Sequence, residues 1–333
     1  MPATPSAFSD ALILTGPTGS GKSSLAIELA GSWPLEIVAM DSMTLYRQMN
    51  IGTAKPSAAD QARVPHHLLD LLEPWESGNV AWWLDRAAEV CEEIRRRGKR
   101  PLFVGGTPFY LKALLYGLFD APPSDPVLRA QLEAEARQVG PQEFHARLAA
   151  IDPRSASRLH PNDIRRLVRA REVWELTGQP LSSLQKSWPS PSFVGTGAAS
   201  STGLAASWSE LEQRCVVLDW PRPLLYHRIN ARVEAMLAAG WLEEVRQLRE
   251  LPRPLSPEAS QALGYRELFA YLEGGGHSWE ATVQTIQQRT RQFAKRQLTW
   301  FRSLRQSQWI AADSPDLRAR LEKTFAEFFA ANR

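Results

Sequence analysis

The chain has 333 residues, of which 44% are hydrophobic and 23% are charged, a composition typical of soluble globular proteins with a full core. This length suggests two domains, or one large domain that carries an insertion. The formal net charge is only +3, which excludes a uniformly basic protein, so any affinity for nucleic acid has to come from local clusters of cations.

The first predicted unit is a strand, a glycine-rich loop and a helix. Residues 11–15 are apolar, TGPTGSGKSS follows at 15–24, and SSLAIELAGSW continues with helical spacing. Glycines let backbone N–H groups turn inward and form an anion site at a helix N-terminus. In the G-x-x-x-x-G-K-S pattern the lysine adds charge on the terminal phosphates and the serine hydroxyl ligates Mg²⁺. The pattern predicts a polyphosphate site, rather than a tight turn without a ligand, at Gly16, Pro17, Thr18, Gly19, Ser20, Gly21, Lys22 and Ser23.

Two further strands and a helix are predicted before residue 120. LEIVAMD at 35–41 indicates a buried strand that ends on Asp41, residues 82–98 an amphipathic helix, and RPLFVGGT at 100–107 a third strand. This alternation predicts a parallel α/β sheet with functional groups at the carboxyl ends of its strands. Asp41 is a candidate general base, or a hydrogen-bond acceptor that closes the strand end. Gly105, Gly106 and Thr107 form either a second site for phosphate oxygens or a plain turn.

The pattern changes after residue 120, where DAPPSDP breaks the alternation and helical periodicity follows without a convincing strand. Residues 187–209 carry no charge and predict a flexible loop, and RCVVLDW at 214–220 predicts a returning strand. We therefore predict the first part of an α/β core at 1–120, a helical insertion domain at 121–186, the loop at 187–209, and core completion with C-terminal helices at 210–333.

Two clusters of cations stand out against the balanced overall charge. HPNDIRRLVRAREV at 160–173 is rich in arginine, and RTRQFAKRQLTWFRSLR at 289–305 has six lysines and arginines and no acid. On a helix, Arg291, Lys295 and Arg302 share one arc, and Phe293, Trp300 and Leu304 are expected on the opposite, packed face. The arc predicts a surface for a phosphate backbone, with an ordinary solvated basic face as the alternative.

Other features are less informative. The adjacent histidines His66 and His67 would point to opposite sides of an extended segment, which does not favour a metal site. Cys91 and Cys215 cannot form a disulfide framework. The N-terminus has no signal-peptide pattern and no apolar run reaches bilayer length. We therefore expect a cytoplasmic protein without a membrane partner.

Several stretches together resemble the tRNA dimethylallyltransferase (tRNA isopentenyltransferase) family. They are GPTGSGKS, DSMTLYRQMNIGTAKP, VPHHLLD, LFVGGTPFYLKALLYGL, the HPND segment with its arginines, ALGYREL and KRQLTWFR, in the expected order over residues 12–310. The resemblance implies an α/β fold with a P-loop nucleotide-kinase-like parallel sheet and a helical insertion. It implies transfer of a dimethylallyl group from dimethylallyl diphosphate to N6 of the adenosine 3′ of the tRNA anticodon, with Mg²⁺ as cofactor and the anticodon stem-loop as partner. We expect a monomer.

The resemblance also carries residue roles to this chain. Asp41 matches the general base, residues 18–23 match the donor-binding loop, and Thr107 and Arg222 match positions that bear on the diphosphate and the reacting adenosine. Gln261 departs from the pattern, which leads us to expect a basic residue there. The stretches that match tRNA contacts comprise Asp41, Ser42, Met43, Thr44, Thr107, Arg129, Arg165, Arg166, Leu167, Val168, Arg169, Gln261, Ala262, Leu263, Gly264, Tyr265, Arg266, Lys295, Arg296, Gln297, Leu298, Thr299, Trp300, Phe301 and Arg302.

Two other functions fit part of the sequence. An ATP-dependent small-molecule kinase explains the glycine-rich loop, but it predicts a metal-holding carboxylate after the third strand, where this chain has Gly-Gly-Thr. A non-catalytic RNA-binding protein explains the basic clusters, but it leaves Lys22, Ser23 and Asp41 without a use. An assay with labelled donor and tRNA, repeated with labelled ATP, separates the three functions.

Overall fold

Several candidate functional residues lie at the carboxyl ends of parallel strands. In a computed structural model, which describes residues 5–119, 121–185, 210–275 and 278–330, six strands form one sheet in the order β3-β2-β4-β1-β5-β6. They are β1 (Leu12–Thr15), β2 (Leu35–Ala39), β3 (His66–His67), β4 (Arg100–Gly105), β5 (Cys215–Asp219) and β6 (Gln308–Ala311). Every neighbouring pair is parallel. The predicted α/β class with a parallel sheet is confirmed.

The register of the sheet brings three loops to one edge. Thr15 at the end of β1 pairs with Gly105 at the end of β4, and Ala39 at the end of β2 pairs with Val104. The glycine-rich loop, the Gly-Gly-Thr turn and Asp41 therefore leave the sheet side by side. The four predicted strands are confirmed, whereas β3 and β6 were not predicted. Their two and four residues are too few to show a hydrophobic period.

The helices are numbered along the chain and fall into two units, residues 1–117 with 199–333 and residues 118–198. The larger unit holds α1 (Lys22–Ser32), α2 (Ala58–Arg63), α3 (Val80–Arg96) and α4 (Pro108–Tyr116) before the smaller one. The smaller unit holds α5 (Pro126–Val139), α6 (Pro141–Ile151), α7 (Pro153–Ala156), α8 (Ile164–Thr177) and α9 (Leu181–Leu184). The larger unit continues with α10 (Arg222–Ala238), α11 (Trp241–Arg249), α12 (Pro257–Ser260), α13 (Tyr265–Leu272), α14 (Trp279–Phe301) and α15 (Leu317–Ala330).

The core of the larger unit is the sheet with helices on its faces. α3 shows why the sequence forms a helix there, since the Asn79 side chain accepts the Trp82 N–H at 2.9 Å as an N-cap. Its buried residues, among them Trp83, Cys91 and Ile94, lie on one face. A second cluster of strand residues, α1 and α15 covers the other side and includes Leu14, Leu218 and Phe325. None of the described helices combines the length and the apolar character needed to span a bilayer.

The smaller unit packs its helices around its own core, which includes Phe144, Leu148, Leu167 and Val173. Between residues 121 and 185 the structure describes helices and no strand. The predicted insertion domain of 121–186 lies within this unit of 118–198, and its exact boundaries stay a prediction. The predicted loop at 187–209 lies outside the described residues.

A buried carboxylate in β2 links this strand to β3 and to the residue that follows α3. Glu36 in β2 is only 1% exposed. It accepts hydrogen bonds from Arg97 at 2.7 and 3.0 Å and from His67 at 2.7 Å. Burial by itself raises the pKa of Glu36, but the hydrogen bonds from Arg97 and His67 overcome this effect and lower the pKa to about 2. The pair of histidines is therefore structural, and His67 uses its Nε2 on this carboxylate.

Replacing Glu36 with glutamine keeps the shape of the side chain and removes its charge. The folded pKa of about 2 lies below the ordinary value of 4.5, so the carboxylate stabilises the fold above pH 4.5, and this contribution is lost as the pH falls toward 2. We expect Glu36→Gln to lower the free energy of unfolding by ~2–3 kcal/mol at neutral pH. Urea denaturation at several pH values measures it, with the exposed Glu250→Gln as control. A difference from wild type that stays constant down to acid pH would contradict this role.

Candidate active site

The glycine-rich loop, hereafter the phosphate loop (residues 16–23), has the conformation that its sequence predicts. Gly19 and Gly21 have φ of 81° and 85°, in the left-handed region that other residues rarely adopt. The Ser20 N–H donates to Pro17 O at 3.2 Å, and Gly21 is the N-cap residue of α1. The loop therefore presents backbone N–H groups at the N-terminus of a helix, which is the geometry of an anion site.

Three side chains from distant parts of the sequence form hydrogen bonds with the backbone of this loop. Gln297 on α14 accepts the Thr18 N–H at 2.9 Å and donates to Gly106 O at 2.6 Å. Trp220, the residue after β5, donates from its indole to Ser20 O at 3.0 Å. Arg228 on α10 donates to Gly19 O at 2.9 Å, and its guanidinium lies 4.4 Å from the centroid of the Trp220 ring.

None of these supporting contacts was predicted. Gln297 was assigned to tRNA, and Trp220 and Arg228 were not assigned to the site. The position of Trp220 could have indicated it, because it follows a strand that pairs with β1 and so ends beside the phosphate loop. No spacing in the sequence indicates which helical residues reach the loop.

The Gly-Gly-Thr turn after β4 is shaped by close contact between loops. A Cβ added at Gly105 would lie 2.0 Å from Met40 O, and one added at Gly106 would lie 2.7 Å from Gln297 Nε2 and 2.9 Å from Gly16 O. Both glycines are therefore required by packing. Thr107 differs, because its hydroxyl accepts the Ser42 N–H at 3.3 Å and so joins this turn to the segment after β2.

Asp41 begins that segment and lies in the same cluster. Its Oδ1 accepts the Met43 N–H at 2.8 Å, so the carboxylate closes the strand end, as one of the two predicted roles requires. Burial raises the pKa of Asp41, and the Met43 N–H, Lys22 and Arg232 only partly oppose this rise. A carboxylate of raised pKa is a stronger proton acceptor than an exposed one. The structural role and the role as a base are therefore compatible.

Lys22 and Arg232 supply the positive charge that faces Asp41. Lys22 is the first residue of α1 and donates to Pro17 O at 3.4 Å. Burial, together with Arg232, lowers the pKa of Lys22 to about 8, although Asp41 acts in the opposite direction. Burial also lowers the pKa of Arg232, which Asp41 partly restores. Two half-buried cations that interact with one carboxylate leave an excess of positive charge, as an anion site requires.

Arg232 was not predicted, whereas Arg222 was. The structure places Arg222 in the exposed first turn of α10. Farther along the same helix, Arg228 contacts the phosphate loop. Arg232 interacts with Asp41. The assignment of Arg222 to the diphosphate site stays a prediction, and the observed contacts of α10 with the site are made by Arg228 and Arg232.

A cleft of about 690 Å³ opens beside Arg232, between residues 50–61 and the second half of α10. Its lining includes the polar Asn50 and Lys55 and the apolar Ala235 and Met236. One wall is fixed by Glu244 on α11, whose carboxylate accepts the N–H groups of Asn50 and Ile51 at 2.8 Å each. Lys55 is paired with Asp70 at 2.6 Å, so Arg232 is the cation that this cleft offers next to its apolar surface.

Ser23 offers a hydroxyl that fits the ligand requirements of Mg²⁺. Within the described residues, no group of three or more histidines, cysteines and acids could hold a metal ion. Ser23 is exposed in the first turn of α1. A serine hydroxyl with phosphate oxygens and water suits Mg²⁺, which retains water and requires few protein ligands.

The stretches predicted to contact tRNA alternate between exposed and buried side chains. The exposed cations among them are Arg165, Arg166, Arg266, Lys295, Arg296 and Arg302. Seven other members, which belong to the cores of their units, are Leu167, Val168, Ala262, Tyr265, Gln297, Leu298 and Phe301. The buried side chains pack inside their units, so the exposed side chains are the ones accessible for direct contact with RNA.

The expected packed face of α14 is confirmed for Leu304, which is buried, and was wrong for Phe293 and Trp300. Its buried face comprises Ala294, Gln297, Leu298 and Phe301, whereas Phe293 and Trp300 are only half-buried. The arc of cations lies beside this buried face rather than opposite to it. Arg291 shows the consequence, because its guanidinium donates to Asn230 Oδ1 on α10 at 2.7 Å. Lys295 and Arg302 are exposed.

The smaller unit holds its arginines in a different way. Glu172 on α8 is fully buried and accepts hydrogen bonds from Arg129 at 2.8 Å and from Arg169 at 2.7 Å. It also accepts the Asp125 N–H at 2.8 Å. One buried carboxylate thus fixes two cations that were predicted to contact tRNA, and it leaves their net charge positive.

Two family models match the chain. One, described as IPP transferase, matches residues 44–304, and the other, described as isopentenyl transferase, matches residues 9–72. The chain is 44% identical over 319 residues to a protein of Trichlorobacter lovleyi named tRNA dimethylallyltransferase 1, covering 96% of this chain and 98% of that protein. It is 46% identical over 317 residues to the tRNA dimethylallyltransferase of Methylibium petroleiphilum, covering 94% and 92%.

Solved structures with the same fold include the tRNA isopentenylpyrophosphate transferase of Bacillus halodurans, with a TM-score of 0.63 and 32% identity over 97% of this chain and 98% of that one. A eukaryotic dimethylallyltransferase described as acting on tRNA has a TM-score of 0.74 and 26% identity, and covers 97% of this chain and 80% of its own.

The charge of Lys22 makes anion binding dependent on pH. Because the pKa of Lys22 in the free protein is about 8, the ammonium is charged below this pH and loses its charge as the pH rises through it. We expect the affinity for inorganic diphosphate to fall above pH 8, by up to about tenfold per pH unit. Isothermal titration calorimetry between neutral and alkaline pH measures it. Lys22→Arg, which keeps its charge, should lose less affinity over that range, and identical profiles would remove Lys22 from the site.

Proposed function

The chain belongs to the tRNA dimethylallyltransferase family, and from this premise we propose how its site performs the transfer of an allylic group to tRNA. The donor is dimethylallyl diphosphate, and the acceptor is N6 of the adenosine 3′ of the anticodon. The observation that carries the proposal is the half-buried Asp41, a base of raised pKa, which interacts electrostatically with Lys22 of the phosphate loop and with Arg232. The transfer itself follows from the family, and the residue roles are the proposal.

In the reaction the bond between C1 of the allylic group and the diphosphate oxygen breaks, and a bond from N6 to C1 forms. The diphosphate leaves with the electron pair. Negative charge then grows on the oxygens held by the phosphate loop, where backbone N–H groups, Lys22 and Arg232 stabilise it. Asp41 accepts the proton that N6 loses. Ser23 would help to hold Mg²⁺, which would supply additional positive charge there.

The position of the acid argues against phosphoryl transfer. β4 lies beside β1 and ends in Gly105, followed by Gly106 and Thr107, with no carboxylate to hold a metal over a terminal phosphate. The available carboxylate follows β2, one strand farther from the phosphate loop. This arrangement suits a base that acts on an acceptor rather than a group that activates a phosphate.

The RNA side of the proposal rests on exposed cations. Arg266 on α13 and Lys295, Arg296 and Arg302 at α14 are exposed in the larger unit, and Arg165 and Arg166 are exposed in the smaller one. Such side chains neutralise backbone phosphates without reading sequence. The target adenine has to leave its stack to reach Asp41. We propose that the enzyme acts as a monomer on the anticodon stem-loop.

A direct assay tests the function. Purified protein is incubated with unmodified tRNA, Mg²⁺ and dimethylallyl diphosphate labelled in its carbon chain, and in parallel with ATP labelled in its terminal phosphate. We expect the carbon label in tRNA and no transfer of the phosphate label. Omission of tRNA is the control. Transfer of the phosphate label to a small molecule, without carbon transfer, would support the kinase instead.

Asp41→Asn tests the base. Asparagine retains an oxygen for the Met43 N–H, so the turn after β2 keeps its hydrogen bond, whereas the amide cannot accept the proton. We expect the rate of transfer to fall by ~10²–10⁴, with the affinity for tRNA within a few-fold of wild type. The exposed Asp313→Asn is the matched control. Single-turnover transfer and filter binding measure the two quantities, and turnover near the wild-type rate would exclude Asp41 as the base.

The exposed cations of α14 are tested by salt dependence. Replacing Lys295 and Arg302 together with alanine should weaken tRNA binding and reduce the log–log salt slope by up to about 1.5–2, since each phosphate contact contributes ~0.7–0.9. The melting temperature should change little, because both residues are exposed.

The matched control replaces Arg320 and Lys323 on α15 with alanine. Both residues are also exposed, and their replacement removes the same amount of charge. Its slope should equal that of wild type. Equal slopes for both double variants would show that the face of α14 does not contact RNA phosphates.

A further inference from the structure

Gln297 is a buried amide on a helix whose exposed residues carry cations. It is 2% exposed and lies on α14 between Lys295 and Arg302. Its Oε1 accepts the Thr18 N–H at 2.9 Å, and its Nε2 donates to Gly106 O at 2.6 Å. A backbone N–H can only donate and a carbonyl can only accept, so these two partners fix the orientation of the amide. One side chain therefore links the phosphate loop to the turn after β4.

The element that carries Gln297 is held in place by packing. Its neighbours Ala294 and Leu298 form a buried cluster with Leu225 and Ile229 of α10. The same α10 carries Arg228, which contacts the phosphate loop, and Arg232, which interacts with Asp41. Gln297 thus joins the loop to a rigid pair of helices.

Backbone and side-chain atoms fill the space around the Gln297 amide. A Cβ on Gly106 would lie 2.7 Å from Gln297 Nε2, 2.9 Å from Gly16 O and 3.5 Å from Lys22 Nζ. The beginning of the phosphate loop, the Gly-Gly-Thr turn and the lysine ammonium therefore meet at this point. A shift of the amide would change the distance between the loop, which holds the leaving group, and Thr107, whose hydroxyl contacts the segment that begins with Asp41.

We propose that Gln297 is a positioning residue for the diphosphate donor, which sets the phosphate loop against the turn after β4 and does not contact tRNA. The proposal rests on the proposed function, since it assigns a role within that same site. The Thr18 N–H is occupied by Gln297 and is therefore not a donor for the diphosphate. The amide acts through the backbone of the loop, and its loss misplaces the N–H groups that follow.

Three variants separate the contributions of the amide. Gln297→Met keeps the length of the side chain and removes both hydrogen bonds. Gln297→Glu keeps an acceptor for Thr18 but places a carboxylate against Gly106 O and next to Lys22. Gln297→Asn keeps the amide on a shorter chain that cannot reach both partners. Gln292→Glu and Gln292→Met, on the exposed surface of the same helix, are the matched controls.

The readouts are kcat, the KM for dimethylallyl diphosphate, the Kd for tRNA, and the melting temperature. For Gln297→Met we expect kcat to fall by ~10–10²-fold, the loss that a misplacement of about 1 Å produces. The Kd for tRNA should stay within about twofold. Gln297→Glu should raise the KM for the donor more than Gln297→Met does, since the new carboxylate offsets the charge of Lys22. Both Gln292 variants should resemble wild type.

The outcomes are distinguishable. Wild-type kcat and KM in Gln297→Met, or a loss confined to tRNA affinity, would overturn the proposal, and the latter would make Gln297 an RNA contact. If Gln297→Met does not fold, Gln297→Asn decides by the same split between kcat and Kd. If wild-type protein transfers no allylic group, the proposed function fails. The affinities of wild type and Gln297→Met for inorganic diphosphate then decide whether Gln297 positions the loop.

Discussion

The structure depends on one constraint, that a glycine-rich loop be held rigid at the carboxyl edge of the sheet. Gly19 and Gly21 allow the turn, but glycine also makes the unfolded chain flexible and so raises the cost of ordering the loop. Contacts from outside the loop offset this cost. Gln297 binds the Thr18 N–H, Trp220 binds Ser20 O, and Arg228 binds Gly19 O. These side chains satisfy backbone groups on the outer side of the loop, so the remaining N–H groups can face an anion. Residues from α10 and α14 are therefore part of a site whose motif lies near the N-terminus.

Burial and charge then act on the same three side chains. Burial lowers the pKa of Lys22 to about 8 and raises the pKa of Asp41, so each group is moved toward its neutral form. The attraction between Lys22 and Asp41 opposes both shifts, whereas Arg232 opposes the shift of Asp41 and adds to that of Lys22. A bound diphosphate would favour the charged form of Lys22. Shifts caused by burial and by a specific charge partner are typical of catalytic groups.

The sequence was sufficient to predict four strands of the sheet, the phosphate loop and the position of Asp41 at a strand end. Each of these rests on a local pattern: an apolar run, glycine spacing, or an acid after a strand. It was insufficient where tertiary packing decides. β3 and β6 are too short to show a period. The buried face of α14 includes Gln297, a polar residue that no hydrophobic pattern assigns to a core. Arg222 was chosen by resemblance, whereas Arg228 and Arg232 reach the loop because α10 packs against α14 through Leu225 and Ile229. The helical period alone could not predict which arc of either helix would be covered.

The placement of the acid explains why a phosphate loop can serve alkyl transfer. Neighbouring strands lie ~4.8 Å apart, and β4 separates β1 from β2. The backbone of the loop after β1 and that of the segment after β2 thus leave the sheet roughly 10 Å apart, and the side chains of Lys22 and Asp41 interact electrostatically across this distance. The space between them is bounded by the backbone of Gly105 and Gly106 and by the Thr107 hydroxyl, with no acid to hold a metal. In the proposed function, a leaving group at the loop and a proton acceptor at Asp41 leave the reacting carbon and nitrogen between them. An acid at the end of β4 would instead suit a metal ion that activates a phosphate.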